Sequence, residues 1–129
     1  MTRILLDSHA LFWFLDGDPR LSIGARQAIE DPDTVAHVSA VTAYEIVNKV
    51  RLGKWSRAAV LAQHFSQIIS ELDFEALPLT LEHAQHAGRL LVQHRDPFDR
   101  MLAAQAEIEA IPLVTADIAF AQFNVRTIW

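Results

Sequence analysis

The chain has 129 residues, 51% of them hydrophobic and none cysteine, and its 11 lysines and arginines against 16 acids give a formal net charge of −5. That length and apolar content suit one domain, 1–129, with one core. The absence of cysteine excludes disulfides and thiolate metal sites, and the negative charge argues against an electrostatic nucleic-acid coat. It does not exclude a nuclease, because acids that hold metal ions count as negative until the ions arrive.

RILLD (3–7) is a short apolar run ending in an acid, the pattern of a buried strand. The opening MTRILLDSHALFWFL has a brief likeness to a signal peptide, but Asp7 and His9 interrupt the apolar run and no small-residue cleavage site follows. No stretch has the eighteen or so apolar residues of a membrane span. A soluble, cytoplasmic protein is therefore expected. HALFWFLDG predicts a helix stopped by Gly17, and Ser22 caps a second helix reaching about Glu30. LFWFL has more large side chains than one amphipathic face needs; core packing comes first as the reason, a partner or dimer interface second.

TVAHVS (34–39) predicts the second strand, AVTAYEIVNKVRLG a helix closed by Gly53, and residues 57–72 a further helix. Between them, NKVRLGKWSR holds Lys49, Arg51, Lys54 and Arg57 around Trp55 with no acid. Such a run fits a solvated helix end better than a phosphate-binding patch. FEALPL is a short third strand, and Thr80 caps LEHAQHAGRLL. In HRDPFDR, Asp96 suits an N-cap, Pro97 the first helical position and Asp99 the third, where a carboxylate answers the cap and the helix dipole. IPLVTAD and NVRTI give the fourth and fifth strands. Strands alternating with helices and lacking hairpin turns imply an α/β protein with a mostly parallel sheet of about five strands covered on both faces. Neither GxGxxG nor GxxxxGK[ST] occurs, which disfavours dinucleotide and P-loop sites.

Ligands of such open sheets bind beyond the carboxyl ends of the strands. Asp7 and Asp117 fall there, at the ends of the first and fourth strands. Asp99 occupies a first helical turn, on the face of Ala103, Ala106 and Ala110, a small-residue environment in a helix apolar around its circumference. Glu45 lies on an arc with Asn48 and Lys49, opposite Ala43, Ile46, Val47 and Val50. It makes either an exposed i, i+4 pair with Lys49 or one wall of a polar cleft. Each acid alone is an ordinary loop or cap residue. Together, at an effective dielectric near 20, two carboxylates about 4 Å apart repel by roughly 4 kcal/mol, so a convergent set keeps protons or holds cations. All-oxygen ligands favour Mg²⁺ or Mn²⁺ over zinc. His9 and His94 flank the set, but there is no HExxH, and Ser8 and Ser39 lack a GxSxG elbow.

These segments resemble the PIN-domain ribonucleases of the VapC toxin type. The likeness runs through LLDSHALFWFL, SAVTAYEIVNKVRLGK, LPLTLEHAQHAGRLL, HRDPFDRMLAAQA and LVTAD, nearly the whole chain in order, and HRDPFDRMLAAQA is its most specific part. Ser8 stands where Thr is frequent and Tyr44 where Trp is frequent, departures that remove no ligand. The resemblance implies a Rossmann-like three-layer α/β sandwich carrying an Mg²⁺-dependent endoribonuclease site, the toxin of a toxin–antitoxin pair, that hydrolyses RNA with metal-activated water to leave a 5′-phosphate and a 3′-hydroxyl. Its acidic set is Asp7, Glu45, Asp99 and Asp117, with Asp7 and Asp99 as the principal metal ligands. It implies an antitoxin partner and a homodimer. Two other classes stay open: an Mg²⁺-dependent aspartyl-phosphate phosphotransfer protein, which the missing DxD disfavours, and a catalytically silent RNA- or ribosome-binding module, which the intact acid set disfavours.

Overall fold

In the computed structural model, which covers residues 1–129, strands and helices alternate as the sequence implies. They are β1 Thr2–Leu6, α1 Ser8–Asp16, α2 Ile23–Glu30, β2 Thr34–Ser39, α3 Ala40–Arg51, α4 Ala59–Gln63, α5 Phe65–Glu71, β3 Glu75–Leu77, α6 Leu81–Arg89, α7 Pro97–Glu109, β4 Leu113–Val114 and β5 Thr127–Ile128. Short 3-10 turns occupy Ser56–Ala58 and Ile118–Gln122. The five strands form one sheet in the order β3-β2-β1-β4-β5, and every pair is parallel.

The pleat of β1 sorts the layers. Alternate side chains of a strand point to opposite faces. Ile4 and Leu6 accordingly join Val38 and Val114 in a core with Leu11, Ala25, Ile46, Leu61 and Ile69, contributed by α1 to α5. Leu5 points the other way, into a second core with Leu113, Leu102, Ala103 and Ala106 of α7 and with Phe120 and Phe123. Both faces of β1 are buried, which explains why its sequence is a continuous apolar run. Fully burying one such Leu contributes roughly 2 kcal/mol. In LFWFL, Leu11 and Phe12 are buried while Trp13, Phe14 and Leu15 are partly covered, so core packing accounts for most of that run.

The expected boundaries hold at the caps. Gly17 is left-handed (φ 63°) after α1, and Gly53 (φ 74°) follows α3. Ser22 accepts from the Ala25 amide. Thr80 and His83 exchange reciprocal bonds that open α6. The helix expected over 57–72 is instead broken at His64 (φ −123°) into α4 and α5. Neither Pro nor Gly marks the break; it lets Leu61 and Ile69 both bury against one core. The sheet's connectivity reverses beside β1, where β2 leaves on one side and β4 on the other. A crevice at the carboxyl ends of β1 and β4 is thus the place to look for a ligand.

Candidate active site

Asp7 sits at that crevice. Its amide still pairs with the Val114 carbonyl (3.1 Å), in register with the sheet, while its side chain caps α1 by accepting from the Ala10 amide at 2.8 Å. Asp117 follows β4, is exposed, and caps the 3-10 turn through the Ala119 amide at 2.9 Å. Thr115, buried between them, accepts from the Asp117 amide at 3.0 Å and places its hydroxyl beside the Asp7 carboxyl.

Glu45 corrects the arc expected for α3. The helix buries Val41, Thr42, Glu45 and Ile46, whereas Tyr44 and Val47 face solvent. Glu45 is only 9% exposed, so the exposed pair expected for it does not form; the i, i+4 bond is made all the same, Lys49 Nζ donating to its carboxylate at 2.7 Å. Asp99 also departs from expectation. It does not reach back to the amide of Asp96; its Oδ2 pairs with His94 Nε2 at 2.8 Å. Asp96 is the exposed N-cap of α7, accepting from Phe98 at 2.9 Å and Asp99 at 3.4 Å.

The acids feel one another. Burial pushes the Asp7 carboxyl up to about 6; the Thr115 hydroxyl and Ala10 amide oppose this, and the charges of Glu45 and Asp117 add to it. Burial likewise raises Asp99, against its bond from His94, with Asp96 and Glu45 raising it further. Glu45 thus bears on both Asp7 and Asp99, and Asp117 on Asp7. No three acidic or histidine side chains close into a ready-made cage, however. A cavity of about 560 Å³ between α3, α5 and β3 contains none of the four.

The family model of the PIN domain matches residues 4–125. The chain belongs to the PIN-domain family. Ribonuclease VapC22 of Mycobacterium tuberculosis is 31% identical over 118 residues, covering 91% of this chain and 88% of that protein. Among solved structures, VapBC2 from Rickettsia felis, bound to a DNA fragment from its promoter, superposes with a TM-score of 0.70 at 16% identity, over 98% of this chain and 97% of that one. VapC20 of M. tuberculosis, a sarcin-ricin-loop-cleaving toxin, gives 0.67 at 20% identity over 92% of each chain. At these identities the two structures attest the fold. The PIN domain here is of the VapC type, as the resemblance implied.

Sequence reading missed three residues of this PIN domain. Thr115, which links Asp7 to Asp117, had one available signal, the T-x-D spacing of a side-chain turn. Gln105 is fully buried in α7, where it accepts from Ser39 Oγ and donates to the Pro78 carbonyl. Arg100 donates to four carbonyls, of Ala87, Leu90, Val92 and His94, and so fixes the segment that carries His94 and Asp96.

The Asp7 value sets the sign of a pH effect. Its folded pKa lies above the unfolded one, so the metal-free protein binds more protons than the unfolded chain. The stabilisation is complete below pH 3.8 and is lost as pH rises to about 6. A shift of that size corresponds to about 3 kcal/mol. Asp7→Asn is therefore expected to stabilise the metal-free protein at pH 7 and to flatten its stability between pH 4 and 6. Carboxyl-carbon NMR titration checks the cause directly; an Asp7 resonance that titrates as an ordinary aspartate removes it.

Proposed function

We propose that this PIN domain is a divalent-metal-dependent endoribonuclease acting as the toxin of a toxin–antitoxin pair. The observation that carries the reading is the buried Asp7 at the β1–β4 crevice, with Glu45 and Asp117 close enough to raise its pKa and Asp99 under the same Glu45 charge. The names of the relatives agree in chemistry: a ribonuclease, a toxin that cleaves an RNA loop, and a VapBC assembly. Our reading therefore supplies RNA as substrate and an antitoxin as partner, with a second copy of the chain as the simplest assembly. No helix is long and apolar enough to cross a membrane.

The donor set fits a hard cation. Every acidic ligand offers oxygen, and the crowded negative charge is relieved when a cation enters. Mg²⁺ usually keeps several waters and takes only one or two protein carboxylates, which suits an open site better than a cage. Asp7 and Asp99 would hold it, with Glu45 and Asp117 in support; Mg²⁺ is our assignment and Mn²⁺ the near alternative. When bound, such a cation supplies positive charge against phosphoryl oxygens and makes water more acidic. The chain's own residues do the rest. Thr115 fixes Asp7, and His94 engages one oxygen of Asp99, leaving the other free. Lys49 donates to Glu45 at 2.7 Å and so orients its carboxylate.

Purified protein is expected to cut total RNA with Mg²⁺ or Mn²⁺ and to stop in EDTA. Cutting that persists in EDTA, from a preparation free of other nucleases, would refute metal dependence. Millimolar Mg²⁺ is also expected to raise the melting temperature by a few degrees, since an ion at about ten times its Kd stabilises the native state by roughly 1.4 kcal/mol. Asp7→Asn should weaken that response; an equal response would remove Asp7 from the ion's coordination.

A further inference from the structure

Two ties between α3 and α7 lie outside the acid chemistry. Gln105, midway along α7, is fully buried. Its Oε1 accepts from Ser39 Oγ at 2.5 Å, and its Nε2 donates to the Pro78 carbonyl at 3.2 Å. Ser39 is the N-cap of α3, where its hydroxyl also accepts from the Val41 amide at 2.9 Å. Pro78 opens the connection from β3 to α6. The Ser39–Gln105 contact is the one side-chain hydrogen bond that joins α7 to α3 or its cap. The second tie is a ring contact at the surface. Tyr44, 61% exposed, meets Phe98 with centroids 5.7 Å apart at 43°.

These ties set a register. From Ser39 to Tyr44 the numbering rises along α3, while from Gln105 to Phe98 it falls along α7. The two helices therefore run antiparallel where they meet. Glu45 follows Tyr44 and Asp99 follows Phe98, so the same register brings these two acids level, within reach of one another's charge. Apolar packing specifies it poorly, because Ala103, Ala104 and Ala106 around Gln105 are buried but small. A buried polar side chain fixes register at a cost in stability, since a slip leaves its hydrogen bonds unmade.

We infer that Gln105 is a positioning residue for the cation site: by bracing α7 against the cap of α3 and the β3–α6 connection, it sets the gap between Asp99 and Glu45. This rests on the divalent-metal reading of the acids and adds a residue that touches neither ion nor substrate. Mg²⁺ tolerates little error, since it demands near-octahedral oxygens at about 2.0–2.1 Å. A slip of α7 along α3 by about 1 Å moves Asp99 while Glu45 stays, and misplacements of that size are costly in such sites.

The test uses the full chain without RNA and takes Mn²⁺ as the probe, with free Mn²⁺ read by electron paramagnetic resonance during titration. Gln105→Met keeps the length of the side chain and removes both bonds. It is expected to weaken Mn²⁺ binding about tenfold, as the loss of an outer partner does in metal sites. It should also lower the melting temperature, because the Ser39 hydroxyl loses its buried acceptor. The control is Ile29→Val or Ile29→Ala, whichever matches that melting temperature, since Ile29 packs on the opposite face of the sheet from α7. Its Mn²⁺ Kd should equal that of the wild type. Ser39→Ala severs the same bond from the α3 side and carries the same expectation as Gln105→Met, so the outcome does not hang on one variant folding. Variants that bind Mn²⁺ as tightly as the wild type, or a matched control that weakens binding equally, would each overturn the brace. A wild-type chain that takes up no Mn²⁺ would overturn the brace and the metal reading together. RNA cleavage is scored separately. Mn²⁺ binding that depends on Gln105 without cleavage supports the brace and overturns the nuclease reading; metal-dependent cleavage with binding indifferent to Gln105 does the reverse.

Discussion

Asp99→Asn is expected to lower the single-turnover rate of RNA cleavage by more than about 100-fold, because the anionic oxygen proposed to hold the cation is lost where even supporting residues of metal sites cost 10–100-fold. The same change is expected to leave the metal-free fold as stable as before, or more so. Burial and the Glu45 charge raise the Asp99 pKa, so its ionised form is disfavoured there, and the asparagine carbonyl still accepts from His94 Nε2. Asp96→Asn is the matched control. Asp96 is exposed and caps α7 through two amides, and Asn caps about as well as Asp. Its cost is therefore a few tenths of a kcal/mol, with most activity retained. The measurement pairs melting temperature without metal with single-turnover rate for both variants. Near-wild-type rates in both would defeat the metal role of Asp99; collapse in both would mean that Asp96 does more than cap.

The second large effect falls on Arg100, away from the acids. Arg100→Met keeps the aliphatic stem but strips charged donors from the carbonyls of Ala87, Leu90, Val92 and His94. Each bond from a charged donor is worth about 1.5–3 kcal/mol when well buried, and Arg100 is only half-covered, so a total near 3 kcal/mol is expected. That lowers the melting temperature by roughly 10 °C. Arg100→Lys should recover only a small part, since an ammonium on a flexible stem cannot span four acceptors with a planar fork. Thermal denaturation followed by circular dichroism decides it, and a loss of only a degree or two would show that the 87–94 segment holds itself. Cleavage should fall along with stability, because the segment carries His94, the partner of Asp99.

The strands were legible because β1 is buried on both faces and carries an unbroken apolar run, and the caps because Ser22, Thr80 and Asp96 satisfy amides within their own turn. Asp7 and Asp117 were legible for the same local reason, since the strand-ending position is visible in the chain. Glu45 was not. Its burial depends on which arc of α3 meets the rest of the protein, and the exposed Tyr44 and Val47 defeat the hydrophobic pattern that would have revealed it. Arg100 was hidden more deeply. A guanidinium bonded to backbone carbonyls asks nothing of the residue types it holds, so no partner pattern is written in the sequence. The partner of Asp99 was read as the Asp96 amide but is His94, because the 90–96 stretch folds back under Arg100 and brings the imidazole within reach.

Two of the acids also serve as caps. Asp7 and Asp117 each give one oxygen to a nearby amide, of Ala10 and Ala119. A capping bond needs a carbonyl oxygen and not a charge, so asparagine keeps the local backbone while erasing the anion. An aspartate codon becomes an asparagine codon by one base change. On the role proposed for these two carboxylates, loss of cleavage thus lies one mutational step from full activity and need not pass through an unfolded chain. An inactivated copy would keep its outer surface intact and still engage whatever protein neutralises the active one. A gene of this kind can drift into a decoy that titrates the neutralising protein, so duplicate copies in one genome should be sorted by the state of these two positions before any is assumed to be toxic.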